Sequence, residues 1–378
     1  MDMISELTDD LILKIMSSLP FKQVIATSVL SKRWRSLWKL VPKLNAGENE
    51  CIIGSDFYSS LAVIYCGLRE LRIEMLYTSM KLPVCVYACG TLKTLILCRL
   101  HLVDVPPSVC LSSLKTLCLL SMKFSCDESV QRLLSICPVL EDLVVRRSTY
   151  TSVEIFTINV STLSSLSIDY SRAVSQPARV HGFVINVPSL RYLNIRDHFS
   201  NLLMFTNMRE LVKANVEVVC NQSESLIGSL TAVRHLSLCS KISNIPYHRD
   251  TFGFFLEHLE LCTCCTEWWN LLTRILKDAP RLRVLKLKSI HCAHYNDPMD
   301  RWNQPSSVPE CLLTHLEILE WRQYKGTKPE KQVAKYILAK AVHLKMATFS
   351  SKSTEKHHMF NKLKSVSICS KACQRVFN

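Results

Sequence analysis

The sequence predicts an α/β chain in three parts: a three-helix unit at the N-terminus, an irregular solenoid of leucine-patterned repeats carrying a parallel sheet, and a closing α/β unit. Three observations predict it. Apolar residues recur at helical spacing through the first 44 residues. The pattern L-x-x-L-x-L then returns every 22–27 residues from Leu68 to Leu190 and recurs beyond it, which is the leucine-rich-repeat period. Beyond Asp297 that interval lengthens and strand-like and helix-like segments alternate. The expected boundaries are 1–44, 45–67 as connector and start of the solenoid, 68–297 for the repeats, and 298–378.

In the first helix of the N-terminal unit, Leu11, Ile12, Ile15, Met16 and Leu19 fall on one face. Thr8, Asp9 and Asp10 precede them, as suits a helix start and its positive dipole end. Pro20 disfavours helical geometry at Leu19, so the chain turns there. A second helix is expected over Phe21–Leu30. Ser31 caps a third, in which Trp34, Leu37, Trp38 and Val41 recur at helical spacing. About 40 residues is near the lower limit for a stand-alone core. Much of this apolar surface must therefore meet a partner or the following domain; the alternative is the terminal cap of a larger fold.

The repeats start at Leu68, Leu92, Leu114, Leu140, Leu163, Leu190, Val233, Leu256 and Leu282, with a weak copy at Met208. Each offers one short strand whose alternate residues point inward. One repeat cannot bury them alone, and stacked neighbours make a continuous core. Two return segments read as helical. Ser125 to Glu128 fits a capping box before Val130, Leu133 and Leu134, with Pro138 beyond. Thr266 caps Glu267–Asp278, with Trp268, Leu271, Leu272, Ile275 and Leu276 inward. The return Leu102–Cys110 is too short and proline-marked for a full helix.

The closing unit begins near Trp302, after a proline-marked break. Its expected order is strand Leu316–Tyr324, helix Pro329–Val342 behind a Thr327–Glu330 capping box, strand Leu344–Ser350, helix near Glu355–Asn361, and strand Leu363–Ser370.

Composition excludes several classes. Glycine numbers 8 in 378, against roughly 26 at an average usage of about 7%, which argues against nucleotide-binding glycine loops. No apolar run reaches the length of a membrane span, and the N-terminus does not read as a secretory leader. The 18 cysteines sit largely in leucine-patterned segments (Cys98, Cys118, Cys239, Cys262, Cys369), as small buried thiols would. They point to a reduced, intracellular protein. His258, Cys262, Cys264, Cys265, His291, Cys292 and His294 lack paired C-x-x-C spacing, so no metal site is expected. No nucleophile elbow, phosphate loop or zinc-protease motif occurs. The expectation is a chain without an active site, metal or cofactor. The formal charge is +14, and residues 305–378 carry 13 Lys/Arg against 5 Asp/Glu. This favours an acidic partner or, as the lesser reading, nucleic acid.

Leu7-Thr8-Asp9-Asp10-Leu11, Met16-Ser17-Ser18-Leu19-Pro20 and Thr27-Ser28-Val29-Leu30-Ser31-Lys32-Arg33-Trp34-Arg35-Ser36-Leu37-Trp38 closely resemble the F-box of plant F-box proteins. Thr8 departs from that pattern, which has proline there; threonine is expected to cap instead. Pro305-Ser306-Ser307-Val308-Pro309-Glu310-Cys311-Leu312, Trp321, Tyr324-Lys325-Gly326 and Val333-Ala334-Tyr336-Ile337-Leu338 resemble the FBD domain that closes many such proteins. The resemblance implies the substrate-receptor subunit of an SCF-type ubiquitin ligase. Its F-box binds a Skp-family adaptor, and through it a cullin scaffold, in the cytoplasm or nucleus. The repeats and FBD hold a protein substrate. The adaptor-binding residues it implies are Leu7, Leu11, Ile12, Ile15, Leu19, Pro20, Leu30 and Trp34. Each has the competing role of packing the bundle; for Leu19-Pro20 the interface is favoured. Exposed positions such as Lys93, Lys115 and Arg191 are candidates for reading the substrate. The alternatives are a non-ligase interaction scaffold and a nucleic-acid-binding protein.

Overall fold

The computed structural model describes residues 6–47, 67–75, 79–80, 82, 84–102, 105–106, 108–147, 153–171, 180–206, 208–218, 229–230, 232–240, 255–264, 268–289, 302–354 and 356–378. It divides into two compact units, Met1–Val187 and Pro188–Asn378.

The first unit opens with α1 (Asp9–Met16), α2 (Phe21–Ala26) and α3 (Lys32–Leu37), with 3₁₀ turns at Thr27–Val29 and Trp38–Leu40. There follow β1 (Lys43–Ala46), β2 (Glu70–Glu74), β3 (Ser79–Met80), α4 (Val84–Tyr87), β4 (Thr94–Cys98), β5 (His101–Leu102), β6 (Thr116–Leu120), β7 (Lys123–Phe124), α5 (Asp127–Ser135), β8 (Asp142–Arg146), β9 (Ile155–Asn159), β10 (Ser165–Tyr170) and β11 (Gly182–Asn186). The main sheet is parallel in the order β1-β2-β4-β6-β8-β10. The inward residues of each L-x-x-L-x-L copy are buried, from Leu71 and Ile73 through Leu166 and Ile168. Each rung hydrogen-bonds to the next, so a leucine that could not be shielded within one repeat is covered by its neighbours.

One rung precedes those read from the sequence. Val41, Leu44 and Ala46 are buried, and Leu44 pairs with Leu71 across a parallel register. The third helical segment therefore runs straight into the sheet. The expected end of the helical unit at Leu44 lies inside β1, and residues 48–66 of the connector lie outside the described residues. An isolated parallel bridge between Pro20 and Asn45 fastens the start of α2 to the same strand.

The return segments are more strand-like than expected. β3, β5 and β7 form a small second parallel ladder, and β9 pairs with β11. Phe156, Ile158, Phe183 and Ile185 are buried at period-2 spacing, a signal that the leucine template overlooks. The expected helix after Ser125 is present as α5, but its N-cap is Cys126, without a side-chain capping bond. The Ser125–Glu128 box is thus out of step by one residue.

The second unit contains β12 (Tyr192–Asp197), β13 (Leu202–Thr206), β14 (Lys213–Val218), β15 (His235–Ser240), β16 (His258–Cys262), α6 (Trp268–Asp278), β17 (Val284–Lys288), α7 (Glu310–Thr314), β18 (Ile318–Arg322), α8 (Lys328–Lys340), β19 (Met346–Phe349), α9 (Lys356–Lys364) and β20 (Gln374–Phe377). Its parallel sheet runs β12-β14-β15-β16-β17-β18-β19-β20. The pairing of β17 with β18, Val284 to Ile318, carries the sheet without a break across position 297. Two rungs differ from expectation. The weak copy at Met208 is a rung begun by Leu211, with Ala214 and Val216 inward. Of the expected last strand Leu363–Ser370, Leu363 and Lys364 end α9 and the rest is turn and irregular backbone; the strand that follows is β20. Met359, Phe360 and Leu363 are buried at three-to-four spacing, which is helical periodicity. Cys369 is exposed rather than core.

The motif that closes the chain is mostly core. Trp321, Tyr324 and Phe349 are fully buried, with Trp321 edge-on to Trp268 at 5.6 Å and to Tyr324 at 5.2 Å. Phe349 stacks on Phe377 at 5.8 Å. The expected capping box forms: the Thr327 hydroxyl accepts from the Glu330 N–H, and the Glu330 carboxylate accepts from the Thr327 N–H. Gly326 is in the left-handed region at φ +66, and a Cβ there would lie 2.8 Å from Met359 Sδ. The backbone there favours glycine, and any side chain would need Met359 to shift.

Candidate functional site

The bundle has a filled core. Ile12 and Met16 point inward from α1, Phe21 and Val24 from α2, and Trp34 and Leu37 from α3. Ser31 caps α3 as expected, its hydroxyl accepting from the Trp34 N–H at 3.4 Å. Thr8 stands at the N-cap of α1 with extended backbone, and its carbonyl accepts from the Ile12 N–H at 3.1 Å. Its hydroxyl makes no capping bond, so the side-chain cap expected of threonine is not formed. Asp9 and Asp10 occupy the first turn instead and complement its dipole. Arg33 donates from Nε to Asp9 Oδ1 at 2.7 Å, joining α3 to the start of α1. At this exposure the pair is worth less than ~1 kcal/mol.

The eight residues implied by the resemblance separate into two sets. Ile12 and Trp34 are buried in the bundle. Leu11, Ile15 and Leu30 are exposed, at 47%, 44% and 54%. Leu7 and Leu19 are half-buried and Pro20 is exposed. Leu11 and Ile15 are one turn apart on α1 and lie about 100° round the helix from Ile12 and Met16, at the exposed margin of the same apolar face. Sequence reasoning did not include Val29, exposed at 84%, or Leu40. Both occupy 3₁₀ turns, where the period of three breaks the helical pattern used to find the others. Leu11, Ile15 and Leu30 are thus left exposed on a bundle whose core is filled.

Elsewhere, Lys93, Lys115 and Arg191 are exposed, each one residue before a strand. Lys115 already pairs with Glu141 at 2.6 Å. Of the cysteine–histidine cluster, Cys262 is buried, and His258 stacks on His235 with centroids 4.4 Å apart. Cys265, His291, Cys292 and His294 lie outside the described residues. Among the described residues the cysteines are free thiols, and no helix is long and apolar enough to cross a membrane.

A three-helix bundle that runs into a parallel repeat sheet defines the class: a repeat scaffold with an N-terminal helical unit. Family comparison gives the same parts. Residues 4–45 match the F-box domain, 113–138 the leucine-rich repeat, and 304–349 the FBD. Three proteins of Arabidopsis thaliana are similar over nearly the whole chain. One, named an FBD-associated F-box protein, is 45% identical over 99% of each chain. A second, named an F-box/FBD/LRR-repeat protein, is 38% identical over 100% of this chain and 99% of its own. A third, another FBD-associated F-box protein, is 40% identical over the full length of both. The chain belongs to the FBD-associated F-box protein family. Proteins of this architecture generally serve as non-catalytic substrate adaptors, with the F-box binding a Skp-type adaptor.

Proposed function

We propose that this chain is the substrate-receptor subunit of an SCF-type ubiquitin ligase. The Skp-family adaptor docks on Leu11, Ile15 and Leu30, with Leu7, Leu19 and Pro20 at the margin. Ile12 and Trp34 support that face from beneath. The cullin joins through the adaptor, and the repeat sheets and closing segment hold a protein substrate in the cytoplasm or nucleus. The receptor's contribution is proximity: tethering raises the substrate's effective concentration near the ubiquitin-charged enzyme. The observation that carries this reading is the exposure of Leu11, Ile15 and Leu30 on a bundle whose core is already filled.

The test is association of the purified full-length chain with the adaptor. Replacing Leu19-Pro20 by Ala-Ala weakens binding, and Leu11→Lys with Ile15→Lys weakens it by more than about tenfold, a loss of ~1.4 kcal/mol or more. Absence of binding by folded wild-type protein sinks the reading. Unchanged affinity in both variants removes the site assignment alone.

A further inference from the structure

In the second unit, strands β14 to β17 carry a cleft of about 400 Å³ on their sheet. Beneath it lies the buried row Ala214, Leu236 and Leu259. Register builds one wall: Lys213, His235 and His258 are successive partners across β14, β15 and β16. Residues in register on neighbouring strands project from the same face of a sheet. The two imidazoles stack, with centroids 4.4 Å apart and planes 11° from parallel. Both histidines are half-buried, and both line the cleft.

The charges along the cleft do not balance. Glu260 is held by Lys288 and by the Ser237 hydroxyl, which donates to it at 3.0 Å. Lys286 pairs with Glu320 at 3.2 Å. Lys213 is exposed and, among the described residues, has no carboxylate partner. Three lining lysines thus meet two carboxylates, which leaves one positive charge in excess beside the histidine pair. The other charged groups around the pair do not supply an anion. Arg234, just ahead of β15, reaches Glu257 at 3.9 Å, and Arg283 and Lys286 act on His258 from the β17 side. Burial first, and then His235, push the His258 imidazole below its ordinary value. Two imidazolium rings in such a stack repel each other, and an anion held against them offsets that repulsion.

We propose that this cleft binds an aspartate or glutamate side chain of the protein substrate, its carboxylate held by Lys213 and the His235–His258 pair, and that protonation of the pair tightens the grip. A carboxylate brings one negative charge and accepts from more than one donor. It matches the single excess charge, where a phosphomonoester at about −1.5 to −2 would overshoot it. Coupling runs both ways: a bound carboxylate helps the pair take up a proton, and the proton strengthens binding of the carboxylate. Histidine titrates near about 6.5 and carboxyl groups near about 4. Affinity therefore rises as pH falls from 8 to 6, and is lost only where the substrate's own carboxyl protonates. The proposal rests on the receptor reading and assigns its substrate class.

The experiment uses the full-length chain. The probes are degenerate peptide pools with a central glutamate or aspartate and otherwise uncharged positions, the same pools with glutamine or asparagine there, succinate, and a single-stranded oligonucleotide. The expected result is binding of an acidic pool about tenfold or more tighter than its amide counterpart at pH 6. The same acidic pool binds about fivefold tighter at pH 6 than at pH 8. Lys213→Gln weakens acidic binding at both pH values and leaves the pH dependence in place. His235→Phe with His258→Phe keeps two stacked rings and Lys213 but flattens the pH profile. Lys213 is exposed, so its variant stays folded, and the thermal midpoint of each variant reports this. Equal binding of acidic and amide pools, or binding of neither, overturns the proposal. So does an acid preference that survives Lys213→Gln undiminished, or a pH profile that survives loss of both histidines. Succinate binding as tightly as the peptides, or the oligonucleotide binding more tightly, overturns it too. Adaptor association measured on the same preparation separates the two readings: adaptor bound without acid preference sinks this inference alone, and absence of adaptor binding sinks the receptor assignment.

Discussion

Trp34 and Ile15 belong to one small bundle and do different things. Trp34 is core, so Trp34→Ala costs about 3–5 kcal/mol and lowers the thermal midpoint measured by calorimetry. Ile15 is exposed, so Ile15→Lys leaves stability within about 0.5 kcal/mol while weakening the proposed adaptor association. Helical spacing alone gave these two residues equal standing, because a tightly wound bundle places apolar residues on more than one face. Only packing against α2 and α3 decides which is inside. Glu330 is a second case at this scale. Burial pushes its carboxyl above the ordinary 4.5, against the hydrogen bonds it accepts from Thr327 and Lys325. A raised folded value means that the folded state holds the proton more tightly. Its contribution is therefore complete below about pH 4.5 and is lost as pH rises through the folded value. Glu330→Gln keeps an acceptor without a charge and removes that downward slope in denaturation midpoints between pH 4 and pH 8. Thr327→Ala breaks the same capping box and costs about 1 kcal/mol at any pH.

At the scale of elements, the repeat rungs were legible wherever leucine filled the inward positions. They were missed where other residues did. Val41, Leu44 and Ala46 make a rung that the eye assigns to the end of a helix. Leu344, Ala347 and Phe349 are the exception: alanine and phenylalanine replace the leucines there, and the expected strand Leu344–Ser350 is found as β19. Leu363 misled in the opposite direction: its leucine pattern resembles a rung, yet Met359 and Phe360 give it helical company. Leucine identity is thus weaker evidence than the period at which burial recurs. β1 serves two structures at once, since it contacts α2 and pairs with β2. Leu44→Ala is expected to cost about 2–5 kcal/mol and to speed amide exchange in both the helices and Glu70–Glu74. Exchange raised in the helices alone contradicts that coupling.

For the whole molecule, composition carried the exclusions and the repeats carried the architecture. The exposure of Leu11, Ile15 and Leu30 needed three-dimensional packing, because helical spacing alone does not say which apolar residues lie inside. The net charge of +14 kept nucleic acid open as a reading. In the closing segment, however, Trp321, Tyr324, Tyr336 and Phe349 are buried and give no platform on which bases stack. Removal of the F-box must respect the shared strand. A chain that begins after residue 47 lacks β1 and bares the backbone of β2, an edge open to pairing with other chains. It aggregates in light scattering at concentrations where the full-length chain, whose α2 packs on β1, stays dispersed.

The shared strand also orders events in time. Each rung of the first sheet pairs with a neighbour made only some two dozen residues earlier or later, so stacking can keep pace with translation. The helices and their strand are made before the repeats that stack on them. On the proposed receptor function, the face that docks the adaptor is therefore complete while later rungs are still being synthesised, and a nascent chain meets its adaptor before it meets a substrate.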